Sequence, residues 1–356
     1  MEPWHLRKST SKKFTVGVIA LVLVVLVLGA MGVYYTRFLV SPLQIASRDQ
    51  VFVIPHGASA QKIADALQHE GILSHPMLFS FTVHWEGKRG KLQAGEYLIK
   101  PNMTPQGLVD LFVSGKVIQH AFTIVPGWTF EQFMSALEEE PNIEHVLLGL
   151  DKEAVMAKMG YPGQPSEGSF FPETYHFPKG TTDVAFLKRA YQLMQEKLAS
   201  AWANRADNLV LKTPYEALIL ASIIEKESGM EDEYTDISGV YTRRLEAKHL
   251  LQADPTVIYG LGKAYVAPLT IAQLQSNSPY NTYQQHGLPP TPIALPSLKA
   301  IEAAVHPKPG NTLYFVAKPG GLGHVFSTTL EQHQEAVLAY KKALTKTDTT
   351  VAPTSP

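Results

Sequence analysis

The sequence predicts an α+β protein carried on one N-terminal transmembrane helix, and three observations predict it. The uncharged stretch 14–36, with VGVIALVLVVLVLGAMGV at its centre, is long enough at about 1.5 Å per residue to cross the roughly 30 Å hydrocarbon layer of a bilayer. After it, short β-prone runs bounded by Gly and Pro alternate with amphipathic helical patterns. The chain has 356 residues, enough at about 150 residues per domain for two exported cores beyond the helix.

The apolar run has lopsided flanks. Arg7, Lys8, Lys12 and Lys13 precede it and Arg37 comes after it, so the positive-inside rule keeps residues 1–13 in the cytoplasm and exports the chain beyond the helix. A cleaved leader has an apolar region of only about 7–15 residues; the run here predicts an uncleaved single-pass anchor in the cell (inner) membrane, held by lipid. Residues 37–48 read as a stalk.

The next elements are brief. VFVIP (51–55) predicts a strand, and Ser59 caps a helix carrying Ile63, Ala64, Ala66 and Leu67. A second helix is predicted from Pro76 to Trp85 with Leu78, Phe79 and Phe81 on its inner face. Thr104-Pro105 opens a third, with Pro at the favoured first position, and 119–125 reads as another strand. This strand, helix, helix, strand order resembles a LysM-like α/β module over 49–125, the small fold that grips wall glycans. A plain α+β spacer fits the same pattern.

Val125-Pro126-Gly127-Trp128 marks the start of a larger domain, 126–345. It predicts a helix over EQFMSALEE, a loop over 166–180, a long helix over 183–203, and a hairpin pairing 313–317 with 324–327. The Thr/Pro-rich end, 346–356, predicts disorder.

Composition excludes several chemistries. The chain has no cysteine, which removes disulfides, thiol nucleophiles and Cys-ligated metals. A net charge of -1 argues against nucleic acid as a partner. The 13 histidines scatter, the closest pair being His69 and His75, so no His-x-x-x-His face exists for zinc, and there is no Gly-x-Ser-x-Gly elbow for a serine hydrolase. No metal or organic cofactor is expected.

The informative segment begins at Thr213. Thr213-Pro214-Tyr215-Glu216 has capping-box spacing, and ALILASII (217–224) is apolar on every side, the mark of a buried helix. It ends in Glu225-Lys226-Glu227-Ser228. Glu227 follows Leu220, Ile223 and Ile224 on one helical face, and desolvation there raises a carboxyl pKa toward that of a general acid. Periodicity alone leaves open a solvated helix end, and leaves Glu225 open as the acid.

The motifs EGSFFPETY, LASIIEKES, LQADPTVIYG, SPYNTY, GLPPTPI and GLGHVFSTT occur in that order. Together they resemble the MltG (YceG-like) family of membrane-anchored endolytic murein transglycosylases, across nearly the whole chain. The resemblance implies lytic cleavage within peptidoglycan glycan strands between N-acetylmuramic acid and N-acetylglucosamine, leaving 1,6-anhydro ends. It also implies a lysozyme-like active-site helix, association with peptidoglycan synthases, and release or termination of nascent strands. In lytic transglycosylases of the related lysozyme-like fold a Ser follows the catalytic Glu, which selects Glu227 over Glu225. Tyr280, Asn281 and Tyr283 offer hydroxyl, amide and ring groups for sugars. Gln252, Asp254, Thr256 and Tyr259 are further substrate-binding candidates, Glu173 is a possible cleft wall, and His324 reads as structural. A catalytically silent wall-binding scaffold is the alternative.

Overall fold

The computed structural model describes residues 9–43, 45 and 48–348. Most of the expected cytoplasmic segment, 1–8 of 1–13, lies outside the described residues, as do Gln44, Ala46 and Ser47 of the stalk and 349–356 of the expected tail. The chain forms two compact units, Met1–His120 with Pro178–Gly180, and Ala121–Phe177 with Thr181–Pro356. The fold is mixed α+β.

The first unit begins with α1 (Ser9–Val40). Its portion Phe14–Val40 is long and apolar enough to cross a membrane, and none of its most apolar window is buried by protein. Then come β1 (Gln50–Ile54), α2 (Ala60–His69), α3 (Pro76–Trp85), β2 (Gly95–Ile99) and α4 (Pro105–Ser114). Ser59 and Thr104 cap α2 and α4 by accepting from Lys62 and Gly107 backbone N–H groups. Antiparallel pairing sets Phe52 opposite Tyr97, and both are buried with Leu67, Phe79, Leu108 and Phe112. Buried Glu96 meets His120 Nε2 at 2.9 Å and Lys179 Nζ at 3.1 Å, which ties Pro178–Gly180 to this unit.

Two expectations need correction here. The strand predicted over 119–125 forms as β3 (His120–Thr123), but it pairs with β5 (Thr174–Phe177), so β2 closes the small sheet. Phe81, expected on the inner face of α3, points outward, while Phe79, Thr82 and Val83 are buried.

The second unit continues with α5 (Phe130–Glu138), β4 (Ile143–Glu144), α6 (Lys152–Lys158), then β5, β6 (Thr181–Thr182), α7 (Asp183–Ala203) and α8 (Pro214–Glu227). After a single 3-10 turn come α9 (Tyr234–Glu246), α10 (Asp254–Leu261), α11 (Ile271–Leu274), α12 (Leu298–Val305), the antiparallel hairpin β7 (Tyr314–Ala317) and β8 (His324–Ser327), and α13 (Leu330–Asp348). α13 therefore runs into the first residues of the expected tail.

The axis of this unit is α8. Every residue from Ala217 to Ile224 is buried, and α7, α9, α10 and α12 pack around it. Its start differs from the sequence expectation. Thr213 does cap by accepting from Glu216 N–H, but Glu216 accepts from Lys212 N–H instead of returning to Thr213, so only half of the capping box forms. Ser222, the polar residue in the buried run, accepts from Ile293 N–H at 3.0 Å and pins GLPPTPI to the helix. Gly239 lets α9 approach closely: a Cβ there would stand 2.5 Å from the Lys308 carbonyl oxygen.

Candidate active site

α8 delivers two glutamates at its last turn, and the structure treats them differently. Glu225 Oε2 accepts from both the backbone N–H (2.9 Å) and the hydroxyl (2.6 Å) of Ser297, the N-cap of α12. Its Oε1 accepts from Tyr234 at 3.3 Å. This carboxylate staples α12 and α9 to the end of α8.

Glu227 is the final helical residue, half-buried, with Ser228 as C-cap. Oε1 accepts a hydrogen bond from the Tyr241 hydroxyl. Among the described residues Oε2 has no hydrogen-bond partner. Burial pushes the Glu227 carboxyl from 4.5 up to about 7; the Tyr241 bond and the Arg244 charge pull it down, and the Asp254 charge pushes it further up.

Three neighbours are held by a network of their own. Arg244, nearly buried, donates to the carbonyls of Leu313 (2.7 Å) and Leu251 (2.8 Å) and to Gln252 Oε1 (3.2 Å). Gln252 adopts φ 54°, a left-handed conformation that costs a non-glycine residue about 1–2 kcal/mol. Its N–H donates to the Thr282 carbonyl at 3.0 Å, so two tethers hold the bend. Asp254, first residue of α10 and exposed, accepts from the Tyr283 hydroxyl at 2.6 Å. Glu227, Gln252, Asp254 and Tyr283 are therefore joined through these contacts and charges and keep access to solvent.

The other expected substrate-facing residues are engaged within the protein. Thr256 and Asn281 are fully buried. Thr256 hydrogen-bonds Thr282 at 2.8 Å, and Asn281 donates to the carbonyls of Leu274 and Ser276 while accepting from Tyr283 N–H. Neither side chain faces outward, a correction to the expectation that they contact sugar; they shape the loop that presents Tyr283. Tyr280 and Tyr259 meet edge to face at 4.9 Å. Tyr280 is joined to Thr291 at 2.9 Å, and Tyr259 donates to Glu167 Oε2 at 3.0 Å. Gly260 permits that approach, since a Cβ there would lie 2.6 Å from Ser278 Oγ.

Glu167 is a second buried carboxyl, also raised to about 7 by burial. Its Oε1 accepts from Phe130 N–H at 2.9 Å. Glu173 is exposed and accepts from Thr174 N–H. His324 Nδ1 pairs with Glu233 at 2.6 Å, and its N–H donates to the same carboxylate. A cavity of about 560 Å³ lies beside the end of α8, walled by Pro126, Trp128, Glu225, Lys226, Ser228 and Tyr234. Glu227 does not line it. Chemistry outweighs concavity here, because the glutamate in that wall is fully engaged with Ser297 and Tyr234. Among the described residues no group of three or more His, Asp or Glu is placed to hold a metal ion.

The sequence matches the YceG-like family over residues 52–339. The chain belongs to the YceG-like family. An endolytic murein transglycosylase of Bacillus subtilis (strain 168) is 30% identical over 325 residues, covering 86% of this chain and 89% of that protein. One from Streptococcus pneumoniae is 26% identical over 81% of this chain and 58% of its own length. The crystal structure of a YceG-like protein from Listeria monocytogenes aligns with a TM-score of 0.53 at 29% identity, over 82% of this chain and 99% of that one.

Sequence reasoning missed Tyr241 and Arg244 of this YceG-like chain because it did not identify α9. A signal was present: Tyr234, Ile237, Tyr241 and Leu245 recur at helical spacing. Glu167 lay in a quoted motif with nothing local to mark it as buried.

Proposed function

We propose that the protein is a membrane-anchored lytic transglycosylase that cuts within peptidoglycan strands, with Glu227 as its acid and base. The observation that carries this assignment is the contrast at the end of α8: Glu225 is fully engaged, whereas Glu227 holds a proton near neutral pH and keeps one oxygen without a partner among the described residues. A carboxyl with a pKa near the working pH can donate and then accept a proton with little driving force lost either way.

In the first half of the reaction Glu227 protonates the bridging oxygen as the bond from muramyl C1 breaks, and N-acetylglucosamine leaves as an alcohol. In the second half the carboxylate takes the proton of the muramyl 6-hydroxyl, whose oxygen forms the new bond to C1. The proton count returns to its start and no water is consumed. Ordinary glycosidases use two carboxyls; here the substrate supplies the attacking hydroxyl. Exposed Asp254 and half-buried Tyr283 flank the acid as sugar partners, with Gln252 beside them, and Tyr259 and Tyr280 form a more distant wall.

The remaining assignments belong to the same proposal. Segment 14–36 is a single-pass anchor in the cell membrane with its N-terminus cytoplasmic, and 37–48 is the stalk. Within the expected module 49–125, the antiparallel β1–β2 pair enclosing α2 and α3 supports a LysM-like fold that ends before β3, and the expected 126–345 form, together with β3, the catalytic domain outside the cytoplasm. There α8 serves as a lysozyme-like active-site helix, and synthases that extend the strand are the expected partners of its release or termination. Digestion of purified peptidoglycan with the wild-type protein and with Glu227→Gln, read by mass spectrometry, tests the assignment. Anhydro ends from the wild type alone support it; anhydro ends from both sink Glu227, and reducing ends from the wild type sink the lytic route.

A further inference from the structure

One surface of the small unit has no role in the reaction. α3 turns Met77, Phe81 and Trp85 outward at 79%, 47% and 76% exposure. Spaced four residues apart, they share one helical face, and the Phe81 and Trp85 rings stack with centroids 5.8 Å apart. A contiguous stripe of two aromatic side chains and a methionine is not what a surface meeting only water carries.

The neighbour of that stripe identifies what covers it. Tyr34 of α1 hydrogen-bonds His75 at 3.1 Å, the residue that precedes α3, and Tyr35 hydrogen-bonds Thr82 at 3.1 Å. The Tyr35 ring also meets Phe81 edge-on at 5.6 Å. The uncharged run of α1 ends at Thr36, so Tyr34 and Tyr35 stand within about 3 Å of its end at 1.5 Å per residue. That is the headgroup level, where Tyr and Trp collect. A helix packed on those two tyrosines shares their depth. Arg89 and Lys91, exposed just beyond Trp85, suit the anionic lipid that attracts interfacial helices.

We propose that α3 is an interfacial helix whose Met77, Phe81 and Trp85 insert into the headgroup and upper acyl layer of the bilayer that α1 spans, with Arg89 and Lys91 on anionic headgroups. The inference rests on α1 being a membrane anchor and adds a second lipid contact, which fixes the small unit against the bilayer surface.

Because the chain has no cysteine, one introduced thiol labels one place in the full-length protein. Trp85→Cys, Met77→Cys, Gln61→Cys at an exposed position of α2, and Leu26→Cys in mid-anchor are each labelled with an environment-sensitive fluorophore and reconstituted in phosphatidylethanolamine/phosphatidylglycerol liposomes. Labels at 77 and 85 are expected to be quenched severalfold more than the label at 61 by a nitroxide high on the acyl chain, and severalfold less by aqueous iodide. If 26 is lipid-quenched while 77 and 85 match 61, the interfacial helix is wrong and the anchor stands. If all four respond only to iodide, the anchor fails and the inference with it.

Discussion

Glu167 and Glu227 both carry carboxyls that burial raises to about 7, and each accepts a hydrogen bond from a tyrosine, Tyr259 and Tyr241 respectively. They differ in what else is bound to them. Glu167 is 9% exposed and fixes Phe130 N–H with its second oxygen, joining the start of α5 to α10. Glu227 keeps its second oxygen without a hydrogen-bond partner among the described residues, beside exposed Asp254. A raised pKa therefore reports desolvation, and the oxygen left over decides whether the group can meet a substrate. Glu225 makes the same point from the other side, since its oxygens are fully engaged two residues from the acid.

The largest expected effect separates the two buried carboxyls by activity. Glu227→Gln is expected to cost about 10²–10⁴-fold or more in anhydro-product formation, the range of a general acid–base group. Glu167→Gln is expected to retain the same product at a comparable rate. Equal loss in two folded variants would erase the distinction. Rates from digestion assays, with circular dichroism to confirm folding, decide it.

Stability separates them next. Glu167 is raised from 4.5 to about 7 in the folded protein, so the native state binds more protons than the unfolded chain between those values and stability falls as pH rises through the window. The raised pKa corresponds to about 3 kcal/mol at most. Glu167→Gln removes that penalty, so its Tm relative to wild type is expected to be higher at pH 8 than at pH 4. Thermal melts at both pH values check this, and a difference of the opposite sign would mean that the carboxylate is stabilised in the fold.

How much of the molecule is legible in the sequence depends on the range of the interactions. α7 and α8 arise from local periodicity and caps, and the hairpin from its Gly-rich turn, all within a few residues. Burial at the end of α8 is also legible, because Leu220, Ile223 and Ile224 lie on the face of Glu227. The contact that decides between Glu227 and Glu225 is not: Ser297 lies 72 residues from Glu225. Likewise Asn281 and Thr256 carry the side chains of sugar-binding residues, and only tertiary packing turns them inward. Phe81 defeats the sequence expectation for the converse reason. Its face is apolar, and sequence does not distinguish a face that meets a protein core from one left outside it.

Smaller effects test the electrostatic surroundings of the acid. Tyr241 donates to Glu227 and lowers its pKa, while the Asp254 charge raises it by less. In the proposed mechanism the reaction begins with Glu227 protonated, so kcat/KM is expected to fall as pH rises through its pKa. Tyr241→Phe is expected to move that alkaline limb to higher pH, and Asp254→Asn to move it to lower pH by a smaller amount, each by no more than about one unit. Limbs moving in the same direction would remove Glu227 as the titrating group.

The smallest effect belongs to the glutamate that is not the acid. Ser297 caps α12 and donates twice to Glu225, so Ser297→Ala removes a cap and a charge-assisted hydroxyl bond while keeping the backbone N–H donor. The expected loss is about 1–2 kcal/mol of stability, seen as a lower denaturation midpoint. The pH–rate limb should stay where it is, because the proposed mechanism puts the catalytic proton on Glu227 and the Ser297 bond constrains a different carboxylate. A displaced limb with unchanged stability would reverse the roles of the two glutamates at the end of α8. A lowered midpoint with a fixed limb leaves Glu225 as the staple that holds α12 against the helix from which the acid projects.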